Sequence, residues 1–352
     1  LEFFADYGLF LAKTVTLVVA LVFVVVVIAA NAARKGTEAK PKGHLTIENI
    51  NEHLEDMKAD LQHALLDEEA FKAEEKAAKK KAKEERKRHE QEEPRKRIFV
   101  LSFDGDAAAS EVEELRQVIN GLLQVARAGK DEVMLRLESP GGMVHGYGLA
   151  ASQLARLREH QLFLTICVDK VAASGGYMMA CIANRLLAAP FAYIGSIGVL
   201  VQLPNLHRLL KENNIDFEMI MAGEYKRTLT TFGENTDADR AKVQEEVNEM
   251  HRLFKDFIHQ FRPALDLAAA ATGEVWSGSQ ALQRGLVDGL GTSDEWLLRE
   301  CKEADVYELG WDYKRPFVDR ITALVASRLR STARWALTET LVRNNGKARY
   351  FS

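Results

Sequence analysis

Cysteine is scarce, with Cys167, Cys181 and Cys301 the only three in 352 residues. An odd number without close spacing argues against a disulfide framework and against a zinc site, so all three read as ordinary buried thiols. An excess of either charge is also missing: 47 Lys and Arg stand against 51 Asp and Glu, a net charge of −4. Average charge therefore gives no reason to expect nucleic acid as a partner. The length suffices for one catalytic-size domain with appendages. Charge and hydrophobicity are instead arranged in blocks.

The first block is apolar. From Thr14 to Ala33 the text TVTLVVALVFVVVVIAANAA carries no charge, and as a helix about twenty residues span about 30 Å, the thickness of a bilayer's hydrocarbon core. Glu2 and Asp6 precede it, unlike the basic start and shorter apolar stretch of a cleaved leader, so it reads as a retained single-pass anchor. Lys13 lies on one side and Arg34, Lys35, Lys40 and Lys42 on the other, which by the positive-inside rule puts the downstream chain in the cytoplasm. A second charge-free window between Arg185 and Arg208 is broken by Pro190, Gly195, Gly198 and Pro204. It reads as protein core, because buried strands of an α/β domain are equally apolar.

After the anchor, Ile47, Ile50, Leu54, Met57, Leu61 and Leu65 recur at helical spacing, the stripe of an amphipathic helix that needs a partner surface. Lys72 to Arg97 holds 12 basic and 7 acidic residues with only four alanines as apolar content, a solvated helix or spacer that can form no core. Beyond Pro94, short β-rich segments alternate with helical stripes, the signature of the α/β class. Strands are expected at Ile98 to Phe103, Val133 to Leu137, Leu162 to Val168 and Phe217 to Met221. Helices are expected on Val112 to Leu123, on Leu149 to Leu157, and on Val243 to Phe261 behind a Thr236 or Asp237 cap. The last stretch has 9 basic against 3 acidic residues with apolar positions at helical spacing. It reads as a tail packing on a neighbouring subunit or lying on a membrane surface. The expected organisation is an anchor (1–35), an amphipathic helix and charged linker (36–97), an α/β domain (98–310) and a basic amphipathic tail (311–352).

Chemistry is sought at the strand ends, where open α/β sheets place their ligands. Glu138-Ser139-Pro140-Gly141-Gly142 follows one strand, and two glycines permit a sharp turn with N–H groups facing outward, able to hold an oxyanion opposite a nucleophile. Ala173-Ser174-Gly175-Gly176 follows the next strand and leads into helical text. That setting suits a nucleophilic hydroxyl, although the Gly-x-Ser-x-Gly pattern of α/β-hydrolases is absent, and a small-residue corner of this kind is also a common packing turn. Such a serine needs a base. His145, His160, His207, His251 and His259 stand in no recognisable setting, and only His145 is close in sequence. Lys226, in Gly223-Glu224-Tyr225-Lys226-Arg227, is the other candidate; a lysine serves as base only where desolvation keeps it neutral.

Five motifs taken in order change the balance: SPGGMV at 139–144, DKVAASGGYMMA at 169–180, GSIGV at 195–199, GEYKRT at 223–228 and TGEVWSGSQALQRGLVDGLGT at 272–292. With the N-terminal anchor, they resemble the signal peptide peptidase A family of membrane serine proteases, serine peptidase family S49. The resemblance implies a crotonase/ClpP-like α/β fold for 98–310 and a Ser-Lys dyad, with Ser174 as nucleophile and Lys226 as general base. Ser196 takes the place of a family serine that orients the lysine. Backbone N–H groups of Gly141 or Gly142 and of Gly175 form the oxyanion hole. Val171, Tyr177, Met178 and Met179 are expected to keep Lys226 dry.

The resemblance also implies a bacterial inner-membrane protein that assembles as a homo-oligomer, with sites shared between subunits. Its substrates are expected to be membrane-derived, signal-peptide or unfolded peptides. Neither a cofactor nor a metal is expected, nor a nucleic-acid partner. The family places its catalytic domain in the periplasm, opposite to the side indicated by the flanking charges. Two other classes compete: a non-catalytic membrane scaffold or chaperone using the same chamber, and an acyl-CoA enzyme of the same fold, which the lysine and the anchor disfavour.

Overall fold

The computed structural model describes residues 43–67 and 95–313, together with positions 13, 16, 70 and 76. The expected anchor, most of the charged spacer and the basic tail beyond residue 313 lie outside the described residues. Leu45–Trp311 form one compact unit. Among the described residues no helix is long and apolar enough to cross a membrane. The charge-free window after Arg185 consists of two short strands followed by coil. Ile194 and Ile197 are buried there, but Leu200, Val201, Leu203 and Leu206 are exposed, so only its first half is core.

In chain order the strands are β1 (Gly43–Asn49), β2 (Arg97–Asp104), β3 (Glu132–Glu138), β4 (Phe163–Val168), β5 (Val171–Ala173), β6 (Arg185–Ala188), β7 (Tyr193–Gly195), β8 (Val275–Ser277), β9 (Gly289–Leu290) and β10 (Asp305–Tyr313). The helices are α1 (Ile50–Leu65), α2 (Val112–Leu122), α3 (Val144–Glu159), α4 (Gly175–Ala180), α5 (His207–Glu212), α6 (Asp237–Phe261), α7 (Leu267–Ala270), α8 (Gly278–Gln283) and α9 (Ser293–Glu300). A seven-stranded sheet runs β1-β10-β2-β3-β4-β6-β9, and a three-stranded sheet runs β5-β7-β8. From β10 to β9 every neighbouring pair in the large sheet is parallel.

Parallel strands joined by helical crossovers are covered on both faces, so they read as continuous apolar runs. β2 divides its side chains by alternation. Phe99, Leu101 and Phe103 join the main core with Val133, Leu135 and Leu137 of β3 and Leu164 and Ile166 of β4, under α2, α3 and α4. Ile98 and Val100 point to the opposite face with Met134 and Cys167, against Ile50 of α1 and Trp296 and Leu297 of α9. Each fully buried Leu, Ile or Phe contributes roughly 1.5–3 kcal/mol to this packing. Burial pushes the thiols of Cys167 and Cys181 up to about 12, which makes both inert.

Three differences from the sequence reading have physical causes. Ile47 belongs to β1, not to the following helix, which starts at Ile50 behind an Asn49 side chain that accepts from Glu52 N–H. Phe217–Met221 is coil, not a strand; among the described residues no strand pairs with it, and Phe217, Met219, Ile220 and Met221 are all exposed. α6 has the expected Thr236 cap, reinforced by Asp239 in a capping box, yet of the apolar stripe Val243, Val247, Met250, Phe254, Phe257 and Phe261 only Phe254 is buried.

One ion cluster pins the start of β3. The Asp131 side chain is fully buried and accepts from Arg97 at 2.5 Å and from the Arg127 guanidinium at 2.6 Å and backbone N–H at 2.7 Å. Burial alone would raise its pKa, but hydrogen bonds from the two arginines outweigh burial and hold the carboxyl down to about 2. A folded-state pKa below the unfolded value of about 3.9 contributes stability that is complete above about pH 5 and lost as pH falls through about 2. Asp131→Asn is expected to destabilise by about 2–4 kcal/mol at neutral pH. In urea unfolding the gap from the native protein should shrink steadily between pH 5 and pH 2; a gap that stays constant over that range would show that the charge is not its source.

Candidate active site

The site is built where β3 and β4 end. Past β3 the chain bridges to the small sheet, with Ser139 paired to Ala172. Ser139 N–H donates to Val171 O at 2.8 Å and Ala173 N–H donates to Ser139 O at 3.0 Å. The glycine turn is thereby laid against the segment that carries Ser174. Gly141 has φ +85°, and a Cβ there would fall 2.6 Å from Ala173 O and Gly175 N and 2.7 Å from Ser174 Cβ. Only glycine fits this approach.

Ser174 caps α4 with φ 53° and ψ −118°, a region that costs a side-chain-bearing residue about 1–3 kcal/mol and is held only by its surroundings. Here the constraint is the small sheet. β5 and β7 are parallel with Ala173 opposite Gly195, and Ser174 N–H donates to Gly195 O at 2.8 Å. Ser196, the next residue on β7's side, also has positive φ, 51°, and its N–H donates to Glu274 O at 2.6 Å. Two half-buried serines on strained backbone therefore leave adjacent strands side by side. Among the described residues the Ser174 hydroxyl makes no hydrogen bond.

The two glycines of the turn are not equivalent. Gly141 is buried and its N–H donates to Ser139 Oγ at 3.1 Å, whereas Gly142 is exposed. Of the pair read as possible oxyanion donors, Gly141 is thus engaged internally, whereas the Gly142 N–H makes no hydrogen bond among the described residues. Gly175, the first residue of α4, has an N–H that its own helix cannot satisfy. Beneath the turn, Ser139 Oγ lies 2.5 Å from Tyr147 Oη, and Tyr147 O–H donates to Asp106 O at 2.7 Å.

Lys226 is not joined to this group within the chain. It is exposed, its side chain makes no hydrogen bond or ion pair among the described residues, and it sits on a segment, 199–235, whose only regular element is α5. The apolar residues expected to dry it do not. Tyr177 and Met179 are fully buried in the main core, with Tyr177 O–H donating to Leu286 O at 2.8 Å, because they point from α4 into the domain and away from the surface. Val171 and Met178 are half-buried. His145 is exposed on the first turn of α3.

Residues 2–154 match the family "Peptidase family S49 N-terminal", and residues 156–307 match "Peptidase family S49". The chain belongs to peptidase family S49. Among S49 relatives it is similar to "Probable protease SohB" of Haemophilus influenzae, 45% identical over 91% of this chain and 92% of that one. It is also similar to "Probable protease SohB" of Buchnera aphidicola subsp. Acyrthosiphon pisum, 52% identical over 68% of this chain and 70% of that one. The resemblance drawn from the five motifs is thus borne out, and as an S49 protein the chain is a peptidase with a mixed α/β fold.

Tyr147 and the hydroxyl of Ser139 were not singled out from the sequence. A signal was present: Gly146 stands just before Tyr147 in the first turn of α3, where a glycine lowers helix stability by about 1 kcal/mol, and a Cβ there would fall 2.8 Å from Ala108 O.

Proposed function

We propose that the chain is a membrane-anchored serine endopeptidase that uses a Ser-Lys dyad to cut membrane-derived, signal-peptide or unfolded peptides. The observation that carries this reading is the pairing of Ala173 with Gly195, which aligns Ser174, on strained backbone, with Ser196 beside the Gly141-Gly142 turn. Neutral Lys226 takes the Ser174 proton while Oγ bonds to the peptide carbonyl carbon. The N–H groups of Gly142 and Gly175 hold the resulting oxyanion. Collapse of the tetrahedral species breaks the C–N bond, and Lys226 returns its proton to the departing amine. Water, deprotonated by the same lysine, then bonds to the acyl carbon; the ester C–Oγ bond breaks, and the lysine returns the proton to Ser174 Oγ. Ser196 orients the lysine amine.

Because Lys226 is exposed within one chain, the reading includes a second subunit that covers it. Support comes from the same arm: Leu200 is 79% and Ile220 98% exposed, with Val201, Ile215 and Tyr225 also largely open. So many open apolar side chains on one segment are unusual on a surface that stays in water. The half-buried stripe of α6 adds to it. A homo-oligomer in which one subunit's Lys226 meets its neighbour's Ser174 would desolvate the amine and cover these side chains together. The crotonase-like description is supported by the parallel sheet with its small companion sheet, and the anchor by the uncharged run 14–33.

The test uses the detergent-solubilised full chain with casein and a signal-peptide substrate, together with a fluorophosphonate probe. Cleavage is expected, with the probe on Ser174 in the wild type and no labelling in Ser174→Ala. Labelling elsewhere, or cleavage at the wild-type rate in Lys226→Ala, would overturn the assignment.

A further inference from the structure

The hydroxyls under the glycine turn have one consistent proton order. Tyr147 has a single hydroxyl proton, and it goes to Asp106 O at 2.7 Å. The 2.5 Å contact between Ser139 Oγ and Tyr147 Oη must then be donated by Ser139. That leaves a Ser139 lone pair for the Gly141 N–H at 3.1 Å. The chain of donation runs from Gly141 N–H to Ser139, from Ser139 to Tyr147, and from Tyr147 to the Asp106 carbonyl. Ser139 and Tyr147 are both 0% exposed, and burial raises the Tyr147 phenol above its ordinary value, so it stays a donor.

The same ring braces the other side of the site. A Cβ on Gly175 would overlap Tyr147 at Cγ, Cδ2 and Cβ, so the backbone that follows Ser174 rests directly on the tyrosine ring. Phe103 packs on Tyr147 edge to face, with ring centroids 6.4 Å apart, fixing the ring from below. Tyr147 therefore touches both flanks of the proposed oxyanion hole: its ring supports Gly175, and its hydroxyl, through Ser139, holds Gly141 so that the next N–H, of Gly142, is the one presented.

We infer that Tyr147 and Ser139 are positioning residues for the oxyanion hole, acting as one hydrogen-bonded brace that sets the spacing and direction of the Gly142 and Gly175 donors. The inference rests on the serine-peptidase reading above. Chained hydrogen bonds polarise one another, and a buried one left unpaired is costly, so such a brace holds tightly or fails as a unit.

Tyr147→Phe keeps the ring and deletes the hydroxyl. Its kcat is expected to fall about 10- to 100-fold, with KM within about threefold, because misdirected donors weaken binding of the transition state and leave the ground state alone. A peptide aldehyde, which forms a tetrahedral adduct with the serine, should lose affinity by a similar factor, and a non-electrophilic peptide of the same sequence should not. Ser139→Ala should do the same, and the double variant should be no worse than the worse single one. Wild-type kcat in the variants, unchanged aldehyde affinity, or losses that multiply in the double variant would each overturn the inference. Should Tyr147→Phe fail to fold by thermal unfolding, Ser139→Ala alone decides. Ser174→Ala serves as control: if it cleaves like the wild type, the serine reading falls and this one with it. If it is silent while both brace variants work normally, only the brace is wrong.

Discussion

Ser174→Ala is expected to lower peptide hydrolysis by at least about 10⁴-fold, since loss of a serine nucleophile leaves only the residual effect of binding and the oxyanion donors. Stability should hardly change. Ser174 is half-buried, its hydroxyl makes no hydrogen bond among the described residues, and alanine keeps the Cβ that the φ of 53° already accommodates. The thermal midpoint should therefore stay within about 2 °C of the wild type, and the KM for a cleavable peptide, measured on any residual rate, within about threefold. Calorimetry beside progress curves checks both. A variant that loses activity together with several degrees of stability would make Ser174 a packing residue of the corner, as small-residue turns usually are.

Lys226→Ala should be nearly as damaging, about 10³- to 10⁴-fold, because the serine would lose the group that removes its proton. The sharper expectation concerns mixtures. Ser174→Ala and Lys226→Ala chains, each silent alone, should recover about a quarter of the wild-type rate when co-expressed in equal amounts, since random closed assembly leaves about one shared site in four with both groups intact. The exposure of Lys226 and of Ile220 on the same arm is the reason to expect rescue. Doubly substituted chains mixed with neither partner provide the baseline. Individually silent variants that stay silent when mixed, in oligomers of normal size, would put both groups of each site in one subunit.

The three central strands of the large sheet, β2, β3 and β4, were legible because they are long and buried on both faces. Ile98 to Phe103 and Val133 to Leu137 are apolar at almost every position, and helix α2 repeats its apolar residues with a period that strands do not have. The small sheet was not legible. β5 and β7 have three residues each, and a strand so short is specified by the neighbour it meets. Phe217 to Met221 carries good strand residues but pairs with no strand among the described residues, so it stays coil. β1 and β10 escaped notice because their texts, GHLTIEN and DVYELGWDY, are only partly buried and mix polar with apolar residues. At the site, residue types and order were readable from motifs, but backbone strain was not. Positive φ at Ser174 and Ser196 arises from the pairing of Ala173 with Gly195, which lies 22 positions further along the chain and leaves no local trace in composition.

The open position of Lys226 has a bearing on how a cell could tolerate such a chain. On the proposed dyad shared between subunits, a chain newly released from synthesis would carry a nucleophile without its base and a base without its nucleophile, and would be harmless to the unfolded proteins around it. Competence would arise only when copies accumulate and find one another, so that local abundance acts as the safety catch.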